Sequence, residues 1–83
     1  MSVTVTLKAN VGDIVYLPLP ELPMPARREV ISIHIGKLWT RYTLQNNRTS
    51  QVETYDDIDF GVKVFTDRAE AQKVLEGLRN AAV

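Results

Sequence analysis

The residue types that most often anchor binding fall in one stretch of the sequence. Trp39 and Arg41 stand two positions apart, with Lys37 just before them and His34 earlier still. In an extended chain, residues two apart share a face. Trp39 and Arg41 would then present an indole, with its N–H donor, beside a guanidinium fork, the two residue types most enriched in binding hot spots. His34 would sit across a hairpin from Trp39, where a lone histidine serves as a cross-strand partner. Tyr16, Arg27 and Arg28 are expected to converge on the same surface. Aromatic and cationic groups on one β face can also stack and neutralise a single nucleic-acid strand, which gives an alternative function. The plain reading of Trp39 is a second small core, covered by the N-terminal strand or by a proline-rich loop.

Other chemistry has less to work with. Glu53, Asp56, Asp57 and Asp59 form an acidic run. Hard-cation sites need several oxygens converging, and the EF-hand spacing of glycine and terminal glutamate is missing. A glycosidase-like carboxylate pair needs a cleft. The run therefore reads as a solvated turn and strand face, or as a negative patch for a basic partner. The 83 residues include no cysteine and one histidine. That leaves no thiolate zinc site, no Cys nucleophile, and no multi-His or triad chemistry within the chain. Gly36 and Gly61 are isolated, so no phosphate-binding loop is written here. No enzyme activity, metal or cofactor is expected.

Lysine plus arginine and aspartate plus glutamate both total 10, giving a formal net charge of zero. A neutral domain lacks the basic excess usual in nucleic-acid modules. No stretch approaches the ~20 apolar residues of a membrane span. The first residues show no basic segment followed by an apolar one, so a cytoplasmic location is expected. The hydrophobic fraction of 45% and charged fraction of 24% are those of a globular chain, and one domain spanning residues 1–83 is expected.

All four prolines fall in Pro18-Leu19-Pro20-Glu21-Leu22-Pro23-Met24-Pro25. Proline fixes φ and removes a ladder donor, so this stretch reads as an extended loop, with Leu19, Leu22 and Met24 free to pack on a sheet. Leu19-Pro20-Glu21-Leu22-Pro23 matches the core of an SH3 ligand, but Pro25 stands where the basic residue belongs. A rigid loop that protects a sheet edge is the simpler reading.

The elements that must position these residues are mostly strands. Val3, Val5 and Leu7 alternate with Thr4 and Thr6, and Ile14 to Leu17 is rich in branched and aromatic residues. Ile31, Ile33 and Ile35, then Gly36-Lys37, then Leu38, Thr40, Tyr42 and Leu44 read as a hairpin on a two-residue type II′ turn. That register pairs Ile35 with Leu38, Ile33 with Thr40 and Ile31 with Tyr42, and turns Val30, Ser32, His34, Trp39, Arg41 and Thr43 to the opposite face. Gln45 to Gln51 is a polar loop. Val52 to Tyr55 is a brief strand, and Ile58, Phe60, Val62 and Val64 suggest another, with Gly61 as a bulge or bend. Thr66 or Asp67 caps a final helix, Asp67 and Glu70 standing as a capping box, with Ala71, Val74, Leu75 and Leu78 as its apolar stripe.

These elements predict an α+β, mainly β fold: a small antiparallel, SH3-like, partly open barrel with one C-terminal α-helix. An open sheet with the helix across one face is the alternative. The segments Val11-Gly12-Asp13-Ile14-Val15-Tyr16, Trp39-Thr40-Arg41-Tyr42-Thr43-Leu44 and Phe60-Gly61-Val62-Lys63-Val64-Phe65-Thr66-Asp67-Arg68-Ala69-Glu70-Ala71 resemble small uncharacterised phage and prophage proteins with an SH3-like β fold. The proline-rich insert departs from the short loop usual there. The resemblance implies an accessory protein that binds and modulates a host protein. The expected function is thus a non-enzymatic protein-interaction module with Trp39, Arg41, His34, Lys37 and Tyr16 as partner-binding residues. A small nucleic-acid-binding barrel is the alternative. A homodimer paired through the exposed edge of the Val3–Leu7 strand is also expected.

Overall fold

The computed structural model describes residues 6–81. Its elements run β1 (Ile14–Leu17), β2 (Ala26–Ile35), β3 (Thr40–Gln45), β4 (Val52–Asp56), a 3₁₀ turn over Asp57–Asp59, and α1 (Arg68–Ala81). The four strands form one antiparallel sheet in the order β1-β2-β3-β4. Each strand pairs with its chain neighbour, and the sheet is not closed: the architecture is a small, mostly strand α+β meander with a C-terminal helix. Val3–Val5 of the expected first strand lie outside the described residues, and Thr6 and Leu7 belong to no strand.

One face of the sheet carries the core. Val15, Leu17, Ala26, Val30, Tyr42 and Leu44 are buried there, with Ile33 and Tyr55 packed at the margin. The β2–β3 register corrects the sequence reading in two places. Ile35 pairs with Thr40 and Ile33 with Tyr42, so Lys37 and Leu38, not Gly36 and Lys37, form the tip of the hairpin. The ladder then slips between Val30 and Ser32, which pair with Leu44 and Thr43 and leave Ile31 as the extra residue of a bulge. A bulge reverses the parity of everything beyond it. Val30, expected on the outer face, is therefore fully buried on the core face.

Loops cover this core. The Lys8 amide donates to the Tyr42 hydroxyl oxygen at 2.9 Å, and Ala9 is buried beside it. The turn after it is tied by Asn10 N–H to Asp13 Oδ2 at 2.8 Å and by Asp13 N–H to the Asn10 carbonyl at 3.0 Å. From β4 the chain crosses the core face with Phe60 tilted on Tyr42, ring centroids 4.7 Å apart. The strand expected over Ile58 to Val64 is absent. The amides of Val62, Lys63 and Val64 all donate to the Asp59 carbonyl, and Gly61 turns with φ +87, so these donors are spent locally rather than on a ladder. The crossing ends where Phe65 and Tyr16 bond, beside the outer edge of β1.

Asp67 caps α1 by accepting the Ala69 amide on Oδ1 at 3.0 Å. The helix packs against β1 and buries Ala71 and Leu75 fully, while Leu78 at the end of the stripe stays exposed. The proline segment is an irregular loop. Leu19 packs on the core as expected, but Leu22 and Met24 point away from it and are exposed.

Candidate functional site

The tip of the β2–β3 hairpin gathers four of the five residues singled out in the sequence. Because Ile35 and Thr40 pair with the core face, the next pair, Gly36 and Trp39, and the previous one, His34 and Arg41, belong to the outer face. The Gly36 amide donates to the Trp39 carbonyl at 2.7 Å, closing the hairpin around Lys37 and Leu38.

Gly36 owes its place to packing. It does not adopt a positive φ, as a type II′ corner would require. A β-carbon built on it would stand 2.3 Å from Trp39 Cε2. The indole therefore lies flat over the glycine, a cross-strand aromatic–glycine pair. The Arg41 guanidinium carbon also stands over the indole, 4.9 Å from the Trp39 ring centroid, a cation–π distance. Arg41 is held in turn by Asp56, its cross-strand partner in β4, with Nε to Oδ1 at 3.3 Å.

The indole thus packs on both Gly36 and Arg41 and is still 45% exposed. It is neither the covered second core of the plain reading nor a freely rotating side chain. Leu38 at the tip is 95% exposed, and Ile35 and Ile58 are exposed nearby, Ile58 on the 3₁₀ turn that packs against β3. Leu38 and Ile35 were expected in the core. The sheet's cover ends before the hairpin does, so the right parity still leaves them in solvent.

Tyr16, Arg27 and Arg28 do not join this site. Tyr16 pairs with Arg27 at the start of β2 and bonds to Phe65 on its other side. Seven residues of strand separate Arg27 from His34, roughly 23 Å at the usual strand rise. The expected convergence failed because β2 is ten residues long and puts the two basic groups at opposite ends.

The acidic run is largely occupied. Glu53 accepts Arg28 Nε on Oε1 and the Tyr55 hydroxyl on Oε2, both at 2.9 Å. Asp56 holds Arg41, and Asp59 Oδ2 accepts the Asp56 amide at 3.0 Å. Burial, reinforced by the bond to Glu53, pushes the Tyr55 phenol up to about 12. Asp56 belongs to the tip site, and the sequence reading missed it. The signal was present: the alternation that places Arg41 outward in β3 places its partner outward in β4.

No family model matches the chain, no curated protein matches it, and no solved structure matches its fold.

Proposed function

We propose that the protein is a non-enzymatic interaction module that engages a protein partner through the tip of its β2–β3 hairpin. The observation that carries this reading is Trp39: an indole packed on Gly36 and Arg41, and exposed next to Leu38. A rigid amphipathic side chain loses little entropy on binding, and contiguous exposed apolar groups on a small domain mark interaction surfaces. Lys37 has no ion-pair partner among the described residues and adds a positive rim. A partner that fits offers an apolar pocket for Leu38 and Trp39, with a carboxylate near Lys37.

The phage-type resemblance extends the proposal to an accessory protein acting on a host protein in the cytoplasm. No helix among the described residues is long and apolar enough to cross a membrane. The same proposal carries the SH3-like reading of the fold. Its support is the crossing that returns the chain from β4 to Tyr16; the gap between β1 and β4 counts against full closure. The nucleic-acid alternative draws less support, since the cationic groups are split between the two ends of β2.

The test is partner capture on immobilised protein, comparing the wild type with Trp39→Ala and Leu38→Ala, with thermal melts of each. Both substitutions should abolish capture. Leu38→Ala, at an exposed side chain, should lower stability by less than about 0.5 kcal/mol. Trp39→Ala also loses the contacts with Gly36 and Arg41, and should lower it by about 1–2 kcal/mol with the fold retained. Capture that survives in both variants refutes the reading. So does a Trp39→Ala variant that unfolds, because the indole would then be structural.

A further inference from the structure

At the opposite end of β2 from Trp39, the chain forms a cleft of about 570 Å³. Its walls are the proline loop from Leu22 to Pro25 and the turn from Asn46 to Arg48. Its base is the start of β2, Ala26 to Arg28. The register Glu29 to Gln45 brings the two loops face to face, since the segment before Glu29 lies opposite the segment after Gln45. The volume falls within the range of small-molecule sites.

Both walls are held. Prolines restrict the first, and Arg79 at the end of α1 donates to the Leu22 carbonyl. The second is a tight turn: the amides of Thr49 and Ser50 donate to the Asn46 carbonyl, the Asn46 amide donates to the Gln51 carbonyl, and Asn47 Nδ2 donates to Glu29. A site whose walls are fixed before binding has little ordering entropy left to lose.

The charged side chains that line the cleft are all cationic, with Glu53 and Glu29 behind them. Arg27, Arg28 and Arg48 line it. The Arg28 side chain is only 14% exposed. Its Nε donates to Glu53 and one terminal nitrogen donates to the Arg27 carbonyl. Glu53 thus orients Arg28, and its other terminal nitrogen has no protein acceptor among the described residues. Arg27 and Arg48 are exposed and enter no ion pair among the described residues. Guanidinium forks match planar or tetrahedral oxyanions, and the proline loop supplies the apolar part of the wall with Leu22 and Met24.

We propose that this cleft binds a small organic oxyanion: a carboxylate or phosphate head that reaches the arginines, carried on an apolar body that lies against the proline loop. Carboxylate and phosphate share the chemistry, and the experiment separates them. Isotope-labelled protein is titrated with phenyl phosphate, benzoate, inorganic phosphate and benzyl alcohol, following the backbone amides by NMR.

Saturable shifts at Arg27, Asn47 and Arg48 are expected with phenyl phosphate, benzoate or both, and the tighter of the two identifies the head group. Inorganic phosphate and benzyl alcohol should each bind at least about tenfold more weakly, since each lacks half of the recognition. Arg27→Gln with Arg48→Gln should weaken binding by at least about tenfold while leaving the rest of the spectrum in place. No saturable shift with either aromatic anion overturns the proposal. Equal binding of benzyl alcohol or of inorganic phosphate overturns it as well, as does undiminished affinity in the double variant.

Discussion

Tyr16 and Phe65 exchange both of their backbone hydrogen bonds, Tyr16 N–H to the Phe65 carbonyl at 2.7 Å and Phe65 N–H to the Tyr16 carbonyl at 2.9 Å. This single pair returns the chain from the β4 side of the molecule to the β1 edge. It occupies the middle of an edge that would otherwise be open for pairing with another chain. It also sets the start of α1, because Asp67 caps the helix two residues later and the helix then lies along β1.

The helix should therefore contribute to stability unevenly along its stripe. Leu75 is fully buried and Leu78 is 41% exposed. Leu75→Ala should lower the unfolding free energy by about 2–4 kcal/mol. Leu78→Ala should lower it by less than about 1 kcal/mol. Urea denaturation followed by circular dichroism measures both, and equal losses would mean that the helix does not sit on β1 in this orientation.

Gly36 and Trp39 should behave as a coupled pair. A methyl group at position 36 collides with the indole, so Gly36→Ala should cost about 1–3 kcal/mol by overpacking and drive the ring off Arg41. The chain has one tryptophan, so its fluorescence reports on that ring alone. Emission should move to the red and iodide quenching should rise. In a Trp39→Ala background the same change at position 36 should be nearly neutral, the non-additivity that a double-mutant cycle detects.

Tyr55 gives a pH dependence at the alkaline end. Its pKa is raised from 10.0 to about 12 in the folded protein, through burial and the bond to Glu53. The folded state then holds the phenolic proton more tightly than the unfolded state does. The associated stability is fully present below about pH 10 and is lost as pH rises toward 12. Melting temperatures across this range should fall, and Tyr55→Phe should remove that part of the decline. A tyrosinate absorbance step near pH 12 should vanish in the same variant. If the step persists, the late-ionising phenol is not Tyr55.

What the sequence made legible was set by which signals are local. Strand alternation placed Tyr42 and Leu44 in the core and Trp39 and Arg41 outside it, and the turn and cap chemistry found β1, the polar loop and α1. The bulge at Ile31 has no local marker, since Val30-Ile31 reads equally well in either parity. Gly36 misled because glycine at a hairpin signals both turn geometry and close approach, and here only the second applies. The Ile58–Val64 alternation is real, yet Asp59 accepts amides that a strand would have offered to a neighbour. The cleft between the proline loop and Asn46–Arg48 was unreadable for a different reason. Its arginines are visible in sequence, but only the β2–β3 register brings the two loops together.

The meander also orders the way this molecule comes together and comes apart. Every strand finds its partner in the adjacent segment, so the sheet can zip hairpin by hairpin at little loop-closure cost. The ties that must wait are distant in sequence: Lys8 to Tyr42, 34 residues apart, the Tyr16–Phe65 pair, and Arg79 to Leu22, 57 apart. These belong to the segment around Lys8 and Ala9, the crossing from Phe60 to Phe65, and the helix, which lie over the meander rather than in it. The molecule is thus built as a fast-forming frame with later covers. Under mild stress the covers should lift first, baring the Tyr42 hydroxyl and the β1 flank while the β2–β3 hairpin, and Trp39 with it, holds its shape.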